Sequence, residues 1–247
     1  MTLNSQTVDK DEIERFSRIA EEWWDENGKF RPLHRMGPLR VQYVRDQICN
    51  HWLRDPDQIK PFLGLSLIDI GCGGGLLSEP MTRMGAKVTG IDAAEKNIKV
   101  AALHAEKMGL AVDYQCATPE MLAAKGQLFD VVLALEIVEH VADVPAFLNA
   151  CTALLKPGGI LFMSTLNRTL KSYAFAIAGA EYLLRWLPRG THEWQKFLKP
   201  SELCAGLRKE RMQIAHMAGM VFSPLKNEWR LAEKDMDVNY IVTATKP

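Results

Sequence analysis

The apolar run LSLIDI at 65–70 leads directly into GCGGG at 71–75, and a helix-compatible stretch follows to Met84. A buried strand, a glycine turn and a helix open a βαβ unit, because parallel strands cannot be joined by a hairpin. The alternation then repeats. KVTGID (87–92), VDYQCA (112–117), FDVVLAL (129–135) and ILFMSTL (160–166) read as further strands, with helices expected over 93–108, 119–124 and 144–155. Five strands separated by helices predict an α/β fold, a doubly wound and mostly parallel sheet with helices on both faces. A helix at 201–209 precedes two β-compatible runs, 212–220 and 237–245. No helix lies between them, so an antiparallel pair is expected at one edge, for seven strands in all.

Ahead of the sheet, Ile13, Phe16, Ala20, Trp23 and Trp24 recur at helical spacing, predicting a helix over 9–27 stopped by Gly28. A second helix is expected from Pro38 through Trp52. Residues 167–199 break the alternation and read as an insertion. The expected organisation is a helical cap over 1–36 and one domain over 37–247 carrying that insertion. A length of 247 residues, 47% of them hydrophobic, suits one large domain.

Lys+Arg and Asp+Glu are equal at 30 each, so no overall positive field favours a phosphate backbone, and nucleic acid is not expected as a partner. Cys49, Cys72, Cys116, Cys151 and Cys204 are scattered, odd in number and without a C-x-x-C pair, which points to a reducing compartment. No apolar run reaches the ~18 residues of a spanning helix, and the polar, acidic start has no signal-peptide character. The chain reads as cytosolic.

A glycine turn after a first strand lets a ligand approach the backbone and the amides of the following helix. A dinucleotide fingerprint, G-x-G-x-x-G, would need a glycine where Leu76 stands; the loop is G-x-G-x-G instead. Asp92 ends the second strand about twenty residues on, where a carboxylate can accept ribose hydroxyls. Nucleotide and nucleoside cofactors share that feature.

The ordered set LIDIGCGGG, VTGIDAA, FDVVLALEIVEHV and LLKPGGILFMST resembles the motifs of class I S-adenosylmethionine-dependent methyltransferases. FSRIAEEWWDENGKFRPLHRMGPLRVQYV (16–44) and 166–200 further resemble the ubiquinone biosynthesis O-methyltransferases, which methylate polyprenylated phenol and quinol intermediates. The resemblance implies S-adenosylmethionine as cofactor, with Gly71 and Gly73 at its backbone contact, Asp92 on the ribose and Leu135 touching it through the backbone. It also places Arg40 at the cofactor, where a guanidinium would pair with the methionyl carboxylate; by itself Arg40 would read as a solvated residue of an amphipathic helix. Thr118 and Glu120 are expected near adenine, although an ordinary turn before a helix explains them equally well.

Glu136, Glu139 and His140, spaced i, i+3, i+4 beyond the fourth strand, would converge on one face of a helical turn. The resemblance implies magnesium held by these three, stabilising a phenolate. The other reading is a metal-free base among them, with Glu136 and His140 as catalytic candidates. His192, in GTHEW, is a second base candidate, with a structural histidine as the alternative. Trp23, Trp24 and Trp194 either wall an aromatic site or are simply packed.

From 166 to 189, Arg168, Lys171, Arg185 and Arg189 stand against Glu181, interleaved with Tyr173, Phe175, Tyr182 and Trp186. Such a stretch suits either a lid over the site or peripheral contact with an anionic membrane. The resemblance favours peripheral association with the inner face of the cell membrane, and other ubiquinone biosynthesis enzymes as partners. A nicotinamide-dependent oxidoreductase, a catalytically silent scaffold and a methyltransferase of a soluble small aromatic remain the alternatives.

Overall fold

The computed structural model describes residues 7–173, 194–223 and 228–247. His192 and most of the basic, aromatic stretch 166–189 lie outside the described residues.

The expected architecture forms, with eight strands instead of seven among the described residues. The strands are β1 (Ser66–Ile70), β2 (Lys87–Asp92), β3 (Asp113–Cys116), β4 (Phe129–Leu135), β5 (Leu155–Leu166), β6 (Gln213–Ser223), β7 (Glu228–Ala232) and β8 (Asn239–Thr245). Their order is β3-β2-β1-β4-β5-β8-β6-β7. The first five are parallel. Strand β8 slots antiparallel between β5 and β6, and the unforeseen β7 pairs with β6 at the edge. EWRLA, short and with two charged residues among five, carries too weak a period-2 signal to stand out as a strand.

Alternation along β4 sends Val131 and Leu133 to one face and Val132 and Ala134 to the other. The first pair packs with Tyr43, Val44 and Ile48, the second with Leu122, Phe147 and Leu203. The order of strands along the sheet reverses between β1 and β4, and the crevice beyond their carboxyl ends is where such sheets bind ligands.

Two helices depart from expectation. Helix α1 spans only Lys10–Arg18, capped by the Asp9 carboxylate on the Asp11 and Glu12 amides. A 3-10 turn at Ala20–Glu22 follows, and tertiary hydrogen bonds then place the two indoles: Trp23 donates to Asn97 (2.9 Å) and Trp24 to the Gly74 carbonyl (3.0 Å). Helix α2 spans Arg31–His51 and starts at Pro32 in place of Pro38, which it carries inside. An internal proline forfeits one backbone bond, which burial of Met36, Tyr43, Val44 and Ile48 offsets. Position 36/37 falls within this helix.

The remaining helices are α3 (Ser78–Arg83), α4 (Glu95–Lys107), α5 (Pro119–Ala124), α6 (Val144–Ala153), α7 (Leu170–Ser172) and α8 (Pro200–Lys209). No helix among the described residues is long and apolar enough to cross a membrane.

Candidate active site

A cavity of about 560 Å3 opens at the carboxyl ends of β1, β2 and β4. Gly71, Asp92, Leu135, Glu136, Glu139 and His140 all line it, as do Arg40 and Thr118. Eight of the residues singled out in the sequence thus reach one space, although they come from α2, three strands and the turns that follow them.

The glycine loop is held from both sides. Gly71 has φ +71°, and a side chain there would meet Ile137 at 2.1 Å. Gly73, at φ +53°, donates its amide to Asp92 Oδ2 (3.0 Å), while Oδ1 accepts from the Ala94 amide (2.8 Å) and the Asn97 side chain (3.2 Å). Burial pushes the Asp92 carboxyl above its ordinary value, and these three donors pull it back. The Trp23 indole covers Gly73 and stacks on Phe30 at 3.7 Å. Gly73 therefore shapes Asp92 and carries Trp23, and it is not among the cavity-lining residues.

Arg40 is only 3% exposed, which corrects its reading as a solvated helix residue. Its Nη2 donates to the Leu33 carbonyl (3.2 Å), and its Nε is buried without a hydrogen-bond partner. Burial lowers the guanidinium's proton affinity, opposed by the nearby charges of Glu136 and Asp69. An orphaned N–H of a buried cation in a cavity wall fits an anionic group of a ligand.

Asp69, which sequence reading passed over inside the apolar run of β1, lines the same wall and accepts from Ser78 Oγ (2.7 Å). Burial pushes its carboxyl up to about 6, with Ser78 and Arg40 acting in the opposite direction. In the unfolded chain the group ionises near pH 4. Between pH ~4 and ~6 the unfolded chain gives up this proton while the fold keeps it, so stability falls by about 2–3 kcal/mol across the window and levels off above it. Replacing Asp69 with Asn should flatten that slope, read by urea unfolding of the cofactor-free protein at pH 4.5 and 7; an unchanged slope would contradict the assignment.

After β4 the expected helical turn is a 3-10 turn, Val138–His140, and the triad does not close. Glu136 sits at φ +55° directly after β4. Pairing of Leu135 with Ser164 and of Leu166 with Asn239 brings two polar side chains to its carboxylate. Ser164 donates at 2.6 Å and Asn239 at 3.3 Å. Glu139 is buried and accepts from Thr165 Oγ1 (2.8 Å). Burial, reinforced by the Glu136 charge, pushes its carboxyl well above the usual range.

His140 turns to the amino-terminal helix, its Nδ1 3.0 Å from Glu12 Oε2. Glu12 is the nearer partner of Nδ1, with Arg15 Nη2 at 3.5 Å, and the neutral tautomer that donates to Glu12 has its proton on Nδ1 and Nε2 as the basic nitrogen. Burial would raise the Glu12 carboxyl, but the hydrogen bond and charge of His140, aided by Arg15 and Lys196, hold it below its ordinary value. Asp9 to Lys196 (3.3 Å) and the Ala142 amide to the Thr7 carbonyl (3.0 Å) anchor the segment that delivers Glu12.

Among the described residues no three His, Cys, Asp or Glu side chains are arranged to hold a metal ion. Glu136 stands outside the turn, at φ +55°, and the three side chains are held by different partners: Glu136 by Ser164 and Asn239, Glu139 by Thr165 and His140 by Glu12. As they stand, the three do not fit the magnesium that the resemblance implies.

Thr118 lines the cavity with its hydroxyl buried and unpaired. Glu120 does not line it; it accepts from the Thr7 hydroxyl and so ties down the amino-terminal segment. Trp24 packs against His104 at 3.4 Å, and Trp194 donates to the Thr169 carbonyl (3.0 Å), both as packed residues. Glu12, Asn97, Ser164, Thr165 and Asn239 gave no signal as sequence, because their roles arise from pairings 5 to 128 positions away.

Residues 68–163 match the model of a methyltransferase domain family. Magnesium protoporphyrin IX methyltransferase from Synechocystis PCC 6803, solved with bound SAM, has the same fold: TM-score 0.62, 17% identity, covering 99% of this chain and 100% of that one. The ubiquinone biosynthesis O-methyltransferase of Dinoroseobacter shibae is 55% identical over 247 residues, all of both chains. That of Sinorhizobium fredii is 54% identical over 241 residues, 98% of this chain and 97% of its own. Such identity over whole chains shows more than a shared core, and the chain belongs to the ubiquinone biosynthesis O-methyltransferase family, within the S-adenosylmethionine-dependent methyltransferases.

Proposed function

We propose that this chain methylates a phenolic hydroxyl of polyprenylated phenol and quinol intermediates of ubiquinone biosynthesis, with S-adenosylmethionine as donor. One observation carries the reading: a single cavity is lined by Asp92, by Arg40 with its open Nε, by the Glu12–His140 pair and by Glu136.

When bound, S-adenosylmethionine supplies an electrophilic methyl carbon on a sulfonium, whose C–S electron pair stays with sulfur. Asp92 accepts the ribose hydroxyls, and Arg40 takes the methionyl carboxylate. Gly71 and Leu135 line the cofactor's path, with Thr118 toward adenine. A phenol of pKa ~10 is mostly protonated at neutral pH, so a base is needed. His140 takes that proton on Nε2 as the phenol oxygen forms its bond to the methyl carbon. Glu12 holds the imidazole in the required tautomer and stabilises the imidazolium that results, the role a carboxylate plays behind a catalytic histidine elsewhere. Glu136, fixed by Ser164 and Asn239, accepts a hydrogen bond from the neighbouring hydroxyl and orients the ring. Residues 1–36 act as the cap that brings Glu12 to the domain over 37–247.

The decisive assay follows a labelled methyl group from S-adenosylmethionine to a prenylated catechol, and absence of transfer would overturn the reading. Magnesium at Glu136, Glu139 and His140 is the second reading, favoured by the fact that all three line the same cavity. It requires them to leave Ser164, Thr165 and Glu12. Full activity after chelation supports His140 as a metal-free base; loss restored by magnesium supports the cation. Peripheral membrane contact through 166–189 rests on that stretch's composition, and binding to anionic liposomes tests it.

A further inference from the structure

The cavity is also lined by apolar side chains, Leu33 and Met36 of α2 with Met220, Phe222, Trp229 and Val238. Nothing in the methyl-transfer chemistry uses these residues. Phe222 and Trp229 are direct cross-strand partners of β6 and β7, their rings 5.5 Å apart and tilted by 48°. Trp229 is half-buried, and it also lines a second cavity of about 430 Å3 on the far side. That groove runs between α2 and β7 with Pro38 and Leu39 along it and Arg35, Gln42 and Glu228 as its polar members. One edge-strand indole therefore lines both the active cavity and the outer groove. The Trp23–Phe30 stack roofs the glycine loop.

We infer that the substrate's isoprenoid tail leaves the active cavity past Phe222 and Trp229, between β7 and α2, and lies in the outer groove. This rests on the O-methyltransferase reading above. A hydrocarbon chain longer than the cavity needs apolar walls and an open far end, and each buried methylene favours such a path. Among the described residues β7 is the last strand of the sheet, so no further described strand blocks the exit. Trp229 is then a specificity residue: it grips the tail and leaves the reacting oxygen to other groups.

The test compares a catechol bearing a farnesyl-length tail with the same catechol bearing a methyl group, both on the full chain. Trp229→Ala should lower the ratio of kcat/KM for the tailed over the tailless acceptor roughly tenfold, mainly through KM, the scale on which apolar contacts discriminate. Trp229→Phe should restore most of that ratio. Equal losses on both acceptors, or an unchanged ratio, would overturn the path. If the parent protein methylates neither acceptor, the O-methyltransferase reading fails instead, so the two failures are distinct. To guard against misfolding of the variant, a farnesyl catechol with a diazirine at the tail's end is photolysed on the parent protein. Adducts on 35–42 or 228–231 support the path, and adducts confined to other peptides overturn it.

Discussion

Replacing His140 with alanine lowers kcat for phenol methylation by about 10²–10⁴-fold, the usual contribution of a positioned general base. The expectation follows from its place on the cavity wall and from Glu12, whose carboxylate 3.0 Å from Nδ1 leaves Nε2 as the proton acceptor. The companion variant Glu12→Gln keeps the imidazole but no longer imposes its tautomer, so a smaller loss is expected, on the order of tenfold. That loss should fall on kcat, with the KM of the catechol and the Kd of S-adenosylhomocysteine unchanged, which separates positioning of His140 from general damage to α1. Steady-state kinetics with calorimetric titration measures both. A His140→Ala enzyme with parental kcat would remove the histidine from the chemistry.

Replacing Arg40 with methionine weakens S-adenosylhomocysteine binding by about 30- to 5,000-fold. Truncating one partner of a buried, hydrogen-bonded charge pair typically costs about 2–5 kcal/mol. Here the loss is twofold in origin: the ligand carboxylate loses its fork, and Asp69 and Glu136 lose the positive charge set among them. Lysine at this position keeps the charge without the planar fork, so Arg40→Lys should recover only part of the affinity. Calorimetric titration gives the Kd values, and circular dichroism confirms that each variant is folded. Undiminished affinity in Arg40→Met would show that Nε serves another purpose.

The parallel half of the sheet was legible because buried strands are continuous apolar runs and their crossovers are helices; LSLIDI, FDVVLAL and ILFMSTL could hardly have been anything else. Strand β7 was missed because an edge strand needs only one hydrogen-bonded neighbour and little burial, so its sequence need not advertise it. The shortened first helix has a similar cause. Spacing alone supported a helix through Trp24, but Asn97 and the Gly74 carbonyl hold the two indoles in place.

In the site, Gly71, Asp92 and Leu135, which the resemblance singles out, line the cavity at strand ends. Glu136, Glu139 and His140 were readable as chemistry but not as geometry. A sequence spacing of three and four implies convergence only if all the positions lie in one helix; here Glu136 is a left-handed residue ahead of a 3-10 turn over Val138–His140.

By itself, then, the amino-acid order determined the α/β class, the glycine turn, the carboxylate that ends β2 and the family, since these depend on local periodicity and on motifs contiguous in the chain. Tertiary structure alone decided that Arg40 is buried with an open donor, that His140 pairs with Glu12, and that Trp229 lines two cavities. Each of these depends on side chains from distant segments meeting in three dimensions, and burial and partner chemistry at such meetings are properties of the packed fold, not of any stretch of sequence.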